Sequence, residues 1–264
     1  MPATDGPVRS SLTWTVDSRR VFAPGPRWWV RETPDGAIVH FHDEAEFRIC
    51  PDPRGQITVT LGPASEEEAA LAFLLAALPL TLPLFGLEPF HGAGLEIADG
   101  RALLVLGPPE AGKSTTAAAL RARELRFLAD DACAIDQTGH LWPGAPLLAT
   151  RARSADDVPI AEYDGKSVFA IGGHDTTPRE VGCSVVLRPD AGAKLAIEHL
   201  SARDGIVALL GQARAPRVLP SRRDRLQLEG AARLARERVG VVTFDKGIHT
   251  PDEVADAILG WAGA

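Results

Sequence analysis

Residues 107–114, with the sequence GPPEAGKS, constrain this chain more than any other segment. They match the pattern G-x-x-x-x-G-K-[ST] at every required position. The apolar run 102–106 before them predicts a buried strand, and the alanine-rich residues 115–123 after them predict a helix. In that order, loop amides and a helix N-terminus point at an anion. The segment therefore predicts a phosphate-binding loop in an α/β fold, and a chance glycine turn before a helix is the alternative.

Each residue of such a loop has an expected role. The ammonium group of Lys113 should reach the terminal phosphates of a nucleotide, and the hydroxyl of Ser114 should ligate Mg²⁺. ATP and Mg²⁺ are the expected ligands. The predicted nucleotide-binding residues are Gly107, Ala111, Gly112, Lys113, Ser114 and Thr115.

Two adjacent aspartates follow the loop closely in the sequence. Residues 126–131, RFLADD, begin 12 residues after Ser114 and predict a short strand that ends in Asp130 and Asp131. One carboxylate could hold Mg²⁺ together with Ser114, and the other could accept a proton from an attacking hydroxyl. Two adjacent carboxylates repel unless a cation lies between them. The alternative is a solvated Asp-Asp turn.

His91 is the third candidate, and it belongs to the segment FHGAGLEI at 90–97. This segment predicts a strand beside the loop strand. A lone histidine is more often structural than functional. His91, Lys113, Asp130 and Asp131 together form the predicted catalytic set.

Composition limits the class of protein. The 264 residues are 45% hydrophobic and 24% charged, which is typical of globular domains, and the net charge of -7 argues weakly against nucleic-acid binding. The three cysteines lie far apart, which excludes a disulfide scaffold and disfavours a structural zinc site. The N-terminus lacks an apolar signal region. Residues 71–87 are apolar but contain Pro79 and Pro83, which favours a buried helix followed by a loop over a membrane segment. A cytoplasmic location is expected.

The chain should divide into a β-rich N-terminal region with a linking helix, residues 1–88, and a core at 89–264. Strands are predicted at 28–30, 37–41, 46–49, 56–60, 181–187, 194–199 and 239–244. A helix over 66–78 should begin with a capping box formed by Ser65 and Glu68. The last helix should begin with Thr250 as its N-cap.

The segment from His91 to Asp136 resembles the HPr kinase/phosphorylase family within the P-loop group that includes phosphoenolpyruvate carboxykinase-like folds. The shared features are the His-Gly opening, the Leu-Glu-Ile strand, Gly100, the loop GPPEAGKST and the segment LRFLADDACAID. The resemblance implies that His91 lies near the transferred phosphate. It implies that Asp130 and Asp131 supply an acid or base and a neighbour of the metal. Relatives in this group often form homo-oligomers.

The β-rich N-terminal region is similar to HPr-kinase-related proteins from gene clusters for modified peptides. Some of these phosphorylate a serine of a lasso-peptide precursor, and others act on free serine. Residues 146–153, PLLATRAR, replace the Leu-Glu-Ile-Arg-Gly segment of true HPr kinases, so HPr is not the expected acceptor. Pro109 and Glu110 replace the usual Ser and Gly of the loop, which removes one amide donor and adds a negative charge.

The leading hypothesis is an ATP- and Mg²⁺-dependent kinase whose acceptor is a serine of a ribosomally made precursor peptide. The alternatives are a kinase of free serine or another small molecule, and a catalytically weak nucleotide-binding scaffold. Neither a nucleic acid nor a membrane is an expected partner. An arginine-rich stretch at 214–238 predicts a solvated helix face or a docking surface for an acidic peptide. Arg151, Arg153 and Arg179 are candidate transition-state cations, and Lys166 is interpreted as a turn residue.

Overall fold

The computed structural model describes residues 13–20, 26–51, 55–150, 158–172, 175–213 and 220–263, with the backbone alone over 220–226. The chain divides into two compact units, residues 1–85 and 86–264. The boundary expected from the sequence, after residue 88, lies close to this division.

The first unit is built on a five-stranded sheet with the strand order β1-β5-β4-β3-β2. β2 to β5 form an antiparallel meander, and β1 pairs parallel to β5. The strands are β1 (Thr13–Arg19), β2 (Trp28–Thr33), β3 (Gly36–Phe41), β4 (Ala45–Cys50) and β5 (Gln56–Leu61). The four strands expected in this region are confirmed. β1 was not predicted, because in its sequence TWTVDSR the apolar alternation is limited to Trp14 and Val16.

A continuous helical run covers one face of this sheet. It consists of α1 (Glu66–Ala72), a π-helical turn (Phe73–Ala77), α2 (Leu78–Thr81) and a 3₁₀ turn (Leu82–Phe85). The capping box of Ser65 and Glu68 is confirmed. The expected end near 78 is wrong, because the π-helical turn leads directly into α2, which contains Pro79 in its first turn.

The helical run Glu66–Phe85 is long and apolar enough to cross a membrane by length and composition, and 39% of its most apolar window is buried inside the protein. The ring of Phe73 lies 5.5 Å from the ring of Phe47 on β4. This side of the run therefore contributes to the core of the first unit.

The second unit contains a nine-stranded mixed sheet and a separate three-stranded sheet, counted over the described residues. The strands of the large sheet are β6 (Glu88–Phe90), β7 (Gly92–Glu96), β8 (Ala102–Leu106), β9 (Arg126–Ala129), β10 (Cys133–Ile135), β11 (His140–Trp142), β15 (Arg179–Pro189), β16 (Ala196–His199) and β17 (Arg238–Phe244). The strands of the small sheet are β12 (Leu147–Thr150), β13 (Ala161–Tyr163) and β14 (Lys166–Ala170). The strands expected near 181–187, 194–199 and 239–244 are confirmed.

Strand direction brings the predicted functional segments to one edge of the large sheet. β8, β15 and β17 run parallel to one another, whereas β7 lies between β8 and β9 and is antiparallel to both. The carboxyl ends of β8 and β9 therefore meet the amino end of β7 at the same edge. The loop after β8, the acids after β9 and the histidine before β7 must lie together there.

Helices cover both faces of the large sheet. They are α3 (Lys113–Arg121), α4 (Ala202–Leu210), α5 (Pro220–Leu234) and α6 (Pro251–Ala262). Alternate residues of β8 point to opposite faces: Leu103 and Val105 join the core beneath α3 and α6, and Leu104 and Leu106 join the core beneath α4 and α5. The fully apolar strand is thus buried on both sides, as expected for the central strand of an α/β layer.

Candidate active site

The predicted strand, loop and helix are present. β8 ends at Leu106, the loop covers 107–112, and α3 begins at Lys113. Gly107 and Gly112 have φ angles of 155° and 103°, which favour glycine. A Cβ atom on Gly107 would lie 3.1 Å from the carbonyl oxygen of Leu187 on the neighbouring strand. Both glycines of the pattern are therefore required by the backbone.

Lys113 is buried, and its Nζ donates a hydrogen bond to the carbonyl oxygen of Pro108 at 2.9 Å. The side chain thus folds back over the loop. The amide of Ala111 also donates to the Pro108 carbonyl, at 3.1 Å, which closes a turn inside the loop. Thr115 is half-buried in the first turn of α3. A phosphate bound by the loop would lie within reach of one buried ammonium group and a helix N-terminus.

The two replaced loop residues, Pro109 and Glu110, are both exposed. Glu110 adopts a left-handed conformation with a φ of 63°. Its carbonyl oxygen accepts a hydrogen bond from the Nζ of Lys246, which follows β17. The ammonium group of Lys246 thus holds this part of the loop.

Asp130 lies directly beside the start of α3. The hydroxyl of Ser114 donates to its Oδ1 at 3.2 Å, and the amide of Ala149 on β12 donates to its Oδ2 at 3.2 Å. Burial, followed by the charge of Asp131, raises the pKa of Asp130 to about 6. Burial and the neighbouring charge thus make ionisation of Asp130 unfavourable in spite of these hydrogen bonds.

The donor set beside the loop fits Mg²⁺. The ion prefers hard oxygen ligands, and proteins usually hold it by one or two carboxylates together with substrate phosphates and water. The Ser114 hydroxyl and an Asp130 oxygen are 3.2 Å apart, so one ion can contact both. A cation there would also remove the cost of ionising the half-buried Asp130.

Asp131 faces a different set of groups. Its backbone is left-handed, with a φ of 66°, a conformation that costs free energy in a residue with a side chain. Its Oδ1 lies 3.5 Å from the Nζ of Lys166 and 3.8 Å from the Nδ1 of His91. The His91 Nδ1 also lies 3.1 Å from the Asp131 carbonyl oxygen. The two acids are thus separated: Asp130 lies at the loop, and Asp131 lies at the histidine.

A cavity of about 310 Å³ opens on the other side of His91. It is lined by His91, Gly107, Pro108, Pro109, Gly211, Gln212 and Ala213. The amide of His91 donates to the carbonyl of Gln212 at 2.8 Å, which fixes the end of α4 against the histidine. His91 therefore lies between the cavity and Asp131.

Of the three arginines considered as transition-state cations, the structure describes Arg179 alone. Arg179 lies at the amino end of β15, away from the loop edge. Its Nε donates to Glu96 at 3.0 Å, and its Nη2 donates to Asp175 at 2.5 Å. The hypothesis that Arg179 is a transition-state cation is wrong, because strand direction places it at the opposite edge of the sheet. Arg151 and Arg153 lie outside the described residues.

The arginine-rich stretch is only partly described. Arg214 and Arg217 lie outside the described residues, and the side chains of the arginines within 220–226 do too. Arg238 lies 4.6 Å above the ring of Trp261 and donates to the Ala262 carbonyl at 3.3 Å. It therefore binds the end of α6, a structural role.

Sequence reasoning missed two cations at this edge, Lys166 and Lys246. A signal existed for Lys246, because residues just after parallel strands lie where α/β sheets bind ligands. No local signal identified Lys166. It reaches Asp131 only through the fold of the small sheet.

Comparisons with known proteins complete this description. No family model matches the chain, and no curated protein matches it. Among solved structures, the Hpr(Ser) kinase/phosphatase from Coxiella burnetii covers 66% of this chain and 90% of its own length. The two share 15% identity, with a TM-score of 0.33. The contacts of the site, and not this likeness, support the function proposed below.

Proposed function

We propose that this chain is an ATP- and Mg²⁺-dependent kinase that transfers a phosphoryl group to a hydroxyl. The observation that supports this most directly is the 3.2 Å contact between Ser114 at the start of α3 and Asp130 at the end of β9. It joins a glycine-rich anion loop to a carboxylate that could hold a metal ion together with the Ser114 hydroxyl. Phosphoryl transfer depends mainly on positioning and charge stabilisation, and these groups provide both.

The role that we propose for each residue follows from the separation of Asp130 and Asp131. Lys113 and the loop amides bind the β- and γ-phosphates, and Ser114 with Asp130 would hold Mg²⁺. Mg²⁺ would neutralise charge that develops on the phosphates. Asp131 accepts the proton of the attacking hydroxyl, and His91 orients Asp131 from the cavity side.

For the acceptor we propose a serine side chain of a precursor peptide that enters along the cavity beside His91. The segment that leads into β13 supports a peptide. It exposes two apolar side chains, Val158 (86% exposed) and Ile160 (60% exposed), and an extended peptide is large enough to cover them. A kinase of free serine is the alternative. A cytoplasmic location and assembly into homo-oligomers are further proposals.

The first experiment measures Mg·ATP binding by calorimetry and phosphoryl transfer by mass spectrometry. Unsubstituted protein is compared with Lys113→Ala and with Arg203→Ala, a matched control that removes an exposed cation from the start of α4. We expect Lys113→Ala to abolish transfer and Arg203→Ala to retain it. Full transfer by Lys113→Ala would refute the site.

A second experiment separates the two acids and the two acceptors. Asp130→Asn should weaken the dependence of ATP binding on Mg²⁺, whereas Asp131→Asn should lower turnover with little change in ATP binding. Serine-containing peptides and free serine are offered in parallel. Normal turnover by both variants would contradict the assigned roles, and phosphoserine formed from free serine alone would exclude the peptide acceptor. Mg·ATP binding without transfer to either would favour a scaffold.

A further inference from the structure

The small sheet β12-β14-β13 contacts both acids of the proposed active site. β12 pairs with β14, and β14 pairs with β13, all antiparallel. The Ala149 amide of β12 donates to Asp130 at 3.2 Å, and Lys166 at the start of β14 lies 3.5 Å from Asp131. One sheet thus supplies a hydrogen-bond donor to the first acid and a positive charge to the second.

The position of Lys166 is fixed by a tight hairpin. Tyr163 on β13 pairs directly with Lys166 on β14, and the two residues between them are Asp164 and Gly165. Their φ angles are 47° and 70°. Positive φ at both central residues is typical of a type I′ turn, for which Asp-Gly is a preferred sequence. Such a turn sets the register, so Lys166 cannot slide along the sheet without breaking it.

The pair formed by Lys166 and Asp131 is partly shielded from water. The side chain of Asp131 is 13% exposed and that of Lys166 is 32% exposed. Charges in such a setting are screened by salt less than charges on an open surface.

We propose that Lys166 is a positioning residue for phosphoryl transfer: it holds the carboxylate of Asp131 toward His91 and away from Asp130. This inference depends on the proposed kinase function. Two adjacent carboxylates repel each other, and the attraction of the Lys166 ammonium, 3.5 Å from the Oδ1 of Asp131, opposes a movement of that carboxylate away from Lys166. Lys166 acts through Asp131 and therefore affects turnover and not nucleotide binding.

The test is a double-mutant cycle on the full chain, with Mg·ATP as substrate and water as acceptor. Phosphate release and Mg·ATP affinity are measured for the unsubstituted protein, Lys166→Met, Asp131→Asn and the double variant. Lys166→Arg tests rescue by another cation, and Arg203→Met is the control for loss of a distant charge. Urea unfolding of each variant shows whether the fold is retained.

We expect Lys166→Met to lower the rate of phosphate release by about 10- to 100-fold, with the Kd of Mg·ATP changed by less than about 2-fold. In the Asp131→Asn background the same substitution should cost less than about 3-fold, because residues that act as a unit are not additive. Lys166→Arg should recover part of the rate.

Three outcomes would overturn the inference. An equal loss in both backgrounds would mean that Lys166 acts independently of Asp131. A fall in rate that follows a lower unfolding midpoint, with no rescue by Lys166→Arg, would mean a purely structural role. Absence of Mg·ATP binding by the unsubstituted protein would refute the proposed kinase itself and the inference with it, which distinguishes the two failures.

Discussion

Asp130→Asn should stabilise the metal-free protein at neutral pH while it damages the site. Burial and the charge of Asp131 raise the pKa of Asp130 from 3.8 to about 6. Between these values the folded protein holds a proton that the unfolded chain has released, so the free energy of unfolding falls as pH rises. One pKa unit corresponds to about 1.36 kcal/mol, so the loss is at most about 3 kcal/mol. Because the side chain is only half-buried, we expect about 2 kcal/mol.

Asparagine can keep the hydrogen bonds of this carboxylate to Ala149 and Ser114. Its amide oxygen can accept from the Ala149 amide, and its amino group can donate to the Ser114 hydroxyl, which now donates to Asp130. The substitution therefore removes the charge and keeps the shape. Its benefit should shrink to less than about 1 kcal/mol at pH 4, close to the pKa of 3.8 in the unfolded chain, and vanish at lower pH, where the aspartate is neutral in both states.

The assay is urea unfolding in the presence of EDTA, followed by circular dichroism at pH 7.5 and at pH 4. Asp136→Asn is the matched control with the opposite expected sign. Burial opposes ionisation of Asp136, but hydrogen bonds from Thr138, Trp142 and His140 outweigh it and lower its pKa. Asp136→Asn should therefore destabilise the protein at pH 7.5. Equal stability of Asp130→Asn and the unsubstituted protein at pH 7.5 would refute the account of the buried charge.

Three further predictions concern two glycines near the site and the N-cap of α6. Gly112→Ala forces a φ of 103° on a residue with a side chain, so it should cost about 1–3 kcal/mol and weaken Mg·ATP binding in calorimetry. Gly92→Ala would place a Cβ atom 2.6 Å from the Val105 carbonyl oxygen, and a lower urea midpoint by about 1–3 kcal/mol is expected. Thr250→Ala removes the hydroxyl that caps the Glu253 amide, which should lower stability by about 1 kcal/mol with no change in ATP binding.

The sequence predicted the segments of the site but not their partners. The strand before the loop and the helix after it could be predicted because the pattern and both flanks are local. The separation of Asp130 from Asp131 could not, since it depends on which neighbour each carboxylate meets. Those neighbours, Ala149 and Lys166, come from a small sheet whose pairing is set by long-range register.

The difference between local sequence signals and long-range pairing also explains the errors in the predicted fold. β1 was missed because a polar strand at the sheet edge is recognised only by its pairing with β5, far along the chain. The helix after Glu66 was predicted too short because proline usually interrupts a helix. Here Pro79 lies in the first turn of α2, directly after the π-helical turn, and the helical run continues. Arg179 stayed a candidate cation in the sequence analysis because the direction of β15 cannot be deduced from its composition.

The antiparallel position of β7 between β8 and β9 has a consequence for engineering. Two segments lie at the other edge, residues 97–101 between β7 and β8 and residues 122–125 between α3 and β9. Among the described residues, neither shares a backbone hydrogen bond with the acids or the loop. A domain inserted at Gly100, or new chain ends opened there, should therefore preserve the chemistry. The edge of the proposed nucleotide site and the edge available for redesign are opposite ends of the same three strands.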